Sequence, residues 1–210
     1  MPSVARPRLR FLVLGDSLAF GTGAARAEDT LGMRLTADLA DDGFDVELSV
    51  HAVPGAVSAD LPRQVRAASA PAADLALVVV GANDLARFVP AEQATAALAE
   101  ALRGLRAGGT DVVVVTAPDM SMVPFVPPAL RPVVSAACGL LQQRQAAVAA
   151  AAGATVAAVA ADVARAFRAD PALFSADRFH PSSAGYAHIA AALRPIVLQA
   201  ARARRDDAAA

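Results

Sequence analysis

Five strand-length apolar runs, at residues 9–14, 46–50, 75–80, 112–115 and 154–159, limit what this chain can fold into. Each is rich in valine and leucine or alanine and is nearly continuous rather than alternating, the pattern of a strand covered on both faces. Between them lie helical patterns at 31–40, with Asp29 or Thr30 as N-cap, at 91–106, ending on Gly108-Gly109, and at 130–152, ending on Gly153. Strand and helix in alternation predict a parallel, doubly wound α/β sheet. Residues 118–132 break the rhythm with five prolines among Met120, Met122, Val123, Phe125 and Val126, and read as a long ordered loop. Ser182 and Ser183 are expected to cap a last helix over 184–197, and residues 202–210 read as its frayed end.

A chain of 210 residues fits a single domain, 1–210, with its core over about 9–196. Apolar residues make up 56% and the mean hydropathy is +0.44, but much of that excess is alanine, which serves helices and close packing. No run approaches the roughly 20 apolar residues of a spanning helix, so no transmembrane segment is expected. The basic N-terminus leads into an apolar stretch, 11–14, that is too short for a signal peptide, which reads as a cytoplasmic protein. Formal charge is −1 and the 19 basic residues, all arginine, are scattered, which leaves no nucleic-acid footprint. One cysteine and no Cys/His cluster of ligand spacing predict neither a disulfide nor a metal site.

In an open parallel sheet, reactive groups gather past the carboxyl ends of the strands. Four small or polar clusters fall there: Gly15-Asp16-Ser17, Val53-Pro54-Gly55, Gly81-Ala82-Asn83-Asp84 and, after a longer excursion, Asp177-Arg178-Phe179-His180. Serine hydrolysis needs a hydroxyl, a base, a group that orients the base, and donors for the oxyanion. Ser17 supplies the hydroxyl and His180 the base, with Asp177 three residues earlier to accept from Nδ1 and leave Nε2 facing Ser17. The oxyanion donors would be the N–H groups of Ser17 and Gly55 and the side-chain amide of Asn83. Asp16 and Asp84 are expected to hold loops through backbone hydrogen bonds. His51 ends the second strand without a nearby acid, His188 lies within the last helix, and Cys138 reads as a buried thiol.

Taken together, Gly15-Asp16-Ser17-Leu18, Gly55, Gly81-Ala82-Asn83-Asp84 and Asp177-x-x-His180-Pro181-Ser182 resemble the four blocks of the GDSL, or SGNH, hydrolase family in order and spacing. The resemblance implies a three-layer α/β/α, flavodoxin-like fold on a five-stranded parallel sheet, and ester or thioester hydrolysis without a cofactor. It carries the nucleophile to Ser17, the rest of the triad to Asp177 and His180, and the oxyanion hole to Ser17, Gly55 and Asn83.

Substrate is less constrained, because one fold hosts many specificities. Met120, Met122, Val123 and Phe125 either line an apolar acyl pocket or pack on the neighbouring helix. The first alternative describes an esterase for short to medium acyl chains with a small-molecule substrate. A carbohydrate O-acetyl esterase is less well matched by a chain with no Trp and one Tyr, Tyr186, and a lysophospholipase or thioesterase stays open. A non-catalytic binding module would be marked by an unreactive Ser17. Neither Gly-x-Gly-x-x-Gly nor a Walker motif follows the first strand, which excludes a nucleotide fold of those types.

Overall fold

The computed structural model describes residues 6–68 and 72–209. Five strands, β1 (Arg8–Gly15), β2 (Asp45–Val50), β3 (Leu75–Val79), β4 (Asp111–Val115) and β5 (Thr155–Ala157), form one parallel sheet in the order β2-β1-β3-β4-β5. Among the described residues, eight α-helices connect and flank them: α1 (Ser17–Phe20), α2 (Leu31–Asp41), α3 (Leu61–Ala67), α4 (Ala82–Ala86), α5 (Ala91–Ala107), α6 (Arg131–Ala151), α7 (Ala160–Ala169) and α8 (Ser183–Ala209).

The apolar runs of β1, β3, β4 and β5 are continuous because each of those strands serves two cores. By contrast β2, at the sheet edge, alternates and packs only Val46 and Leu48 against one of them, so it is not covered on both faces as its run suggested. Phe11, Val13, Leu75, Leu77, Val79 and Val113 point to one face, where α2, α7 and α8 cover them through Leu35, Phe167 and Leu193. Leu12, Leu14, Ala76, Val78 and Val114 point to the other, against Leu61 of α3, Leu98 and Leu102 of α5 and Ala149 of α6. Three α/β/α layers result, and each fully buried leucine contributes roughly 2–3 kcal/mol.

The strand order reverses between β1 and β3. A crevice forms at such a switch point beyond the carboxyl ends, and the segments that leave β1 and β3 carry Ser17 and Asn83. The two strands crowd there: a Cβ on Gly15, whose φ is +137°, would lie 1.7 Å from the Val79 carbonyl oxygen, so no other residue fits. Gln64 of α3 clamps the same glycine, accepting from its N–H at 2.9 Å and donating to its carbonyl at 2.8 Å. Gln145 of α6 does the same between strands, accepting from the Ala117 N–H and donating to the Val80 carbonyl.

Several elements differ from the sequence reading. The 202–210 tail is not a frayed end as far as it is described: α8 continues through Pro195 to Ala209. Arg202 pairs with Asp42, and Arg204 bridges Asp74 and Asp111, contacts that tie the end of the helix to α2 and to the sheet. The fifth strand is half its expected length, and residues 160–169 form a helix whose Val163 and Phe167 share one face. The 118–132 stretch holds two single 3-10 turns, Met120–Met122 and Pro128–Leu130, before α6 begins at Arg131. Neither Asp29 nor Thr30 caps α2 through its side chain, because Thr30 donates to Ala27 and Asp29 is taken up by Arg26, Arg34 and Ser183. Ser182 does cap α8, accepting from the Gly185 N–H at 3.2 Å. Among the described residues, no helix is long and apolar enough to cross a membrane.

Candidate active site

Asp16 begins the site. It ends the turn out of β1, and its carboxylate accepts from the Leu18 N–H at 3.0 Å, capping the short helix α1 that opens with Ser17. As the first residue of a helix, Ser17 has an N–H with no intrahelical acceptor. Asp16 is buried, and burial pushes its carboxyl up to about 6, with nearby Asp84 adding to the shift and the Leu18 N–H opposing it.

From the other side comes a tight loop between the 3-10 turn Pro171–Leu173 and α8. Ser175 N–H donates to the His180 carbonyl at 2.8 Å and Ser182 N–H to the Leu173 carbonyl at 2.8 Å, closing the loop at its base. Inside it, Asp177 Oδ1 accepts from the Ser175 hydroxyl and from the N–H groups of Phe179 and His180. Asp177 Oδ2 lies 2.6 Å from Nδ1 of His180. Burial raises the Asp177 carboxyl, but the hydrogen bonds from His180, Phe179 and Ser175 override it and hold the group far below the usual carboxylate range. An ionised carboxylate only accepts, so Nδ1 carries the proton and Nε2 presents its lone pair. That Nε2 is 3.0 Å from Ser17 Oγ.

Two segments distant in sequence are locked together by contacts that have no motif. Tyr186 is fully buried and its hydroxyl donates to the Thr22 carbonyl at 2.8 Å. Ser183 Oγ donates to Asp29 and accepts from the Ala25 N–H. Gly23, with φ +94°, lets the His180 loop press in: a Cβ there would meet the Pro181 carbonyl at 2.5 Å and the His180 Cβ at 3.0 Å.

Asn83 leads from β3 into α4, and its amide donates to the Ala56 carbonyl at 2.9 Å, which ties it to the loop of Gly55. That loop is anchored in turn by the Val53 N–H on the Gly15 carbonyl, two residues before Ser17. Among the described residues, neither the Ser17 nor the Gly55 N–H has an acceptor within the protein. Asp84 accepts from both the N–H and the hydroxyl of Ser58, the loop-holding role expected of it.

Ser17 and His180 open onto an apolar pocket of about 50 Å³, where Met120, Met122 and Val123 form one wall. Val163, Phe167 and Ile189, from α7 and α8, line it as well. Phe125 does not line it and instead stacks on Phe179, which does, with ring centroids 5.9 Å apart. The sequence reading missed the α7 and α8 residues, although the four-residue spacing of Val163 and Phe167 carried the helix that presents them. His51 lines a different cleft with Arg10 and Glu47, and His188 is exposed on α8. Cys138 is buried, accepts from the Met120 N–H at 3.3 Å, and has its thiol pushed up by burial.

The model of the GDSL-like Lipase/Acylhydrolase family matches residues 13–188. A GDSL-like esterase of Mycobacterium tuberculosis is 36% identical over 183 residues, 85% of this chain and 58% of the relative, so the chain spans little more than half that protein's length. Among solved structures, TesA superposes with a TM-score of 0.76 and 21% identity, covering 91% of this chain and 99% of the other. Axe2, an acetylxylan esterase from Geobacillus stearothermophilus, does so with a TM-score of 0.72 and 18% identity, covering 91% and 95%. At these identities the solved structures share the fold.

Proposed function

The chain belongs to the GDSL-like lipase/acylhydrolase family, and from that membership we propose that it is a serine esterase acting on small-molecule carboxylic esters with short acyl chains. One observation carries the reading: the unbroken chain of contacts from Ser17 Oγ to His180 Nε2 at 3.0 Å and from His180 Nδ1 to Asp177 at 2.6 Å. Ser17 attacks the ester carbonyl while His180 takes its proton; His180 then returns that proton to the leaving alcohol. Water, activated by the same base, hydrolyses the acyl-enzyme. Asp177 holds the imidazole in the tautomer that can accept.

The N–H groups of Ser17 and Gly55 and the Asn83 amide serve as oxyanion donors. Support comes from the two N–H groups lacking internal acceptors and from Asn83 being bound to the Gly55 loop. Acyl length follows from the pocket. A small apolar pocket of about 50 Å³ suits a short acyl chain. A sugar platform finds less support, since the single tyrosine, Tyr186, is buried and spends its hydroxyl on Thr22.

Hydrolysis of p-nitrophenyl esters from acetate to palmitate by wild type, Ser17→Ala and His180→Ala tests this. Activity on the short esters, lost in both variants, is the expected result. Activity retained by Ser17→Ala would overturn the assignment, and a folded wild type inert to every ester and to a fluorophosphonate probe would favour a binding module.

A further inference from the structure

Met122 and Phe167 line a second cleft besides the Ser17 pocket, larger at about 300 Å³. Three arginines, Arg131, Arg168 and Arg178, also line it, and among the described residues no aspartate or glutamate does. Arg168 is balanced by Asp119 at 3.1 Å. Arg131 donates its Nε–H to the Val126 carbonyl, and among the described residues neither Arg131 nor Arg178 has an ion-pair partner. The acids adjacent in the chain are committed elsewhere. Asp170 caps the turn at Ala172, and Asp177 is filled by Ser175, Phe179 and His180.

All three arginines are exposed, and cations lining one cleft give it a potential that attracts an anion. Arg178 adds a second sign. Its φ of +58° lies in the left-handed region, where glycine or asparagine would sit with less strain, so the position carries a long cation at a backbone cost. Guanidinium forks match the geometry of carboxylate and phosphate oxygens. The remaining lining is apolar, with Phe167 and Phe174 packed edge to face at 5.0 Å, a surface suited to a short hydrocarbon spacer.

We propose that this cleft is a subsite for an anionic group, a carboxylate or phosphate, carried by the ester substrate a few carbons from the scissile bond. The assignment rests on Ser17 and His180 forming an esterase site, because Met122 and Phe167 are the walls common to both cavities. The substrate class is then an acidic ester: a half-ester of a dicarboxylic acid, or a short acyl ester of a phosphorylated alcohol.

Two matched pairs of esters test the proposal. p-Nitrophenyl butyrate against mono-p-nitrophenyl glutarate places the anion on the acyl side; butyrylglycerol against butyrylglycerol phosphate places it on the alcohol side. The readout is the ratio of kcat/KM, anionic over neutral, which a loss of folded protein does not move. Wild type is expected to prefer the anionic member of at least one pair by about tenfold, the order of one charge-assisted hydrogen bond. Arg131→Gln and Arg178→Gln should each collapse that ratio, and added salt should lower it. A ratio near one in both pairs overturns the proposal, as does a preference that survives both substitutions. If wild type cleaves no ester at all, the esterase reading fails instead, and titration with inorganic phosphate decides the subsite: binding lost in Arg131→Gln supports an anion site, and no binding overturns it. Phosphate binding combined with a ratio of one overturns the assignment to substrate, since the site then serves a free anion.

Discussion

Nε2 of His180 lies 3.0 Å from Oγ of Ser17, although 163 positions of sequence separate them. Their approach depends on the start of α8 being pinned to the segment after α1, through Tyr186 on Thr22 and Ser183 on Asp29 and Ala25. If Ser17 is the nucleophile, Ser17→Ala should lower kcat/KM on p-nitrophenyl acetate by about 10⁴-fold or more, with unfolding unchanged. A loss under tenfold would place the chemistry elsewhere.

Asp177 has a side chain about half exposed, so water screens its charge, and if it serves His180 in catalysis it does so mainly by orienting the ring. In Asp177→Asn an amide N–H can face Nδ1, favouring the tautomer whose Nε2 cannot accept from Ser17. A fall in kcat of about 10²-fold to 10⁴-fold with little change in KM is expected. Steady-state kinetics on one short ester, with circular dichroism to confirm folding, gives the answer.

Met120 borders the Ser17 pocket from the loop before α6. Met120→Ala enlarges that pocket without touching the sheet, so the preferred acyl chain should lengthen by two or more carbons, a change of about one buried CH₂ contribution per carbon. An unaltered chain-length profile would remove the loop from the acyl site.

Gln64 is buried, and its carboxamide is the partner of the Gly15 N–H. Gln64→Leu leaves that donor buried and unpaired, while the Gly15 carbonyl keeps the Val53 N–H. A loss of about 2–3 kcal/mol in urea unfolding is expected; no loss would mean the strand end re-pairs on its own.

Asp16 is pushed up to about 6 by burial, against about 4 in an unfolded chain. Between those values the folded protein keeps a proton that the unfolded chain releases, so this group lowers stability as pH rises through the window. Asp16→Asn removes the effect. Its stability relative to wild type should increase from pH 4 to pH 7, approaching about 3 kcal/mol, and a pH-independent difference in thermal unfolding would contradict the buried charge.

Much of this was legible along the chain. Continuous runs such as 75–80 announced strands with two covered faces, and the residues after them fell on one sheet edge because parallel connections put every such turn on the same side. The last helix was harder to read. Pro195 and an arginine-rich end look like termination, yet Arg202 and Arg204 find carboxylates on α2's C-terminal cap and on the strand ends, partners fixed by folding. Gln64 and Gln145 are ordinary helix residues until the buried groups they face are known.

Periodicity and local chemistry by themselves determined the α/β class, and the chain's own motifs marked Ser17, Gly55, Asn83, Asp177 and His180 as candidates for a hydrolytic site, since both depend on residue type and short spacing. Only the tertiary structure decided which side chains close the pocket and where unpaired charge collects. Phe167 joins Met122 there, Phe125 turns away to Phe179, and Arg131 and Arg178 line one cleft although 47 positions of sequence separate them, because packing direction and long-range proximity are properties of the assembled layers.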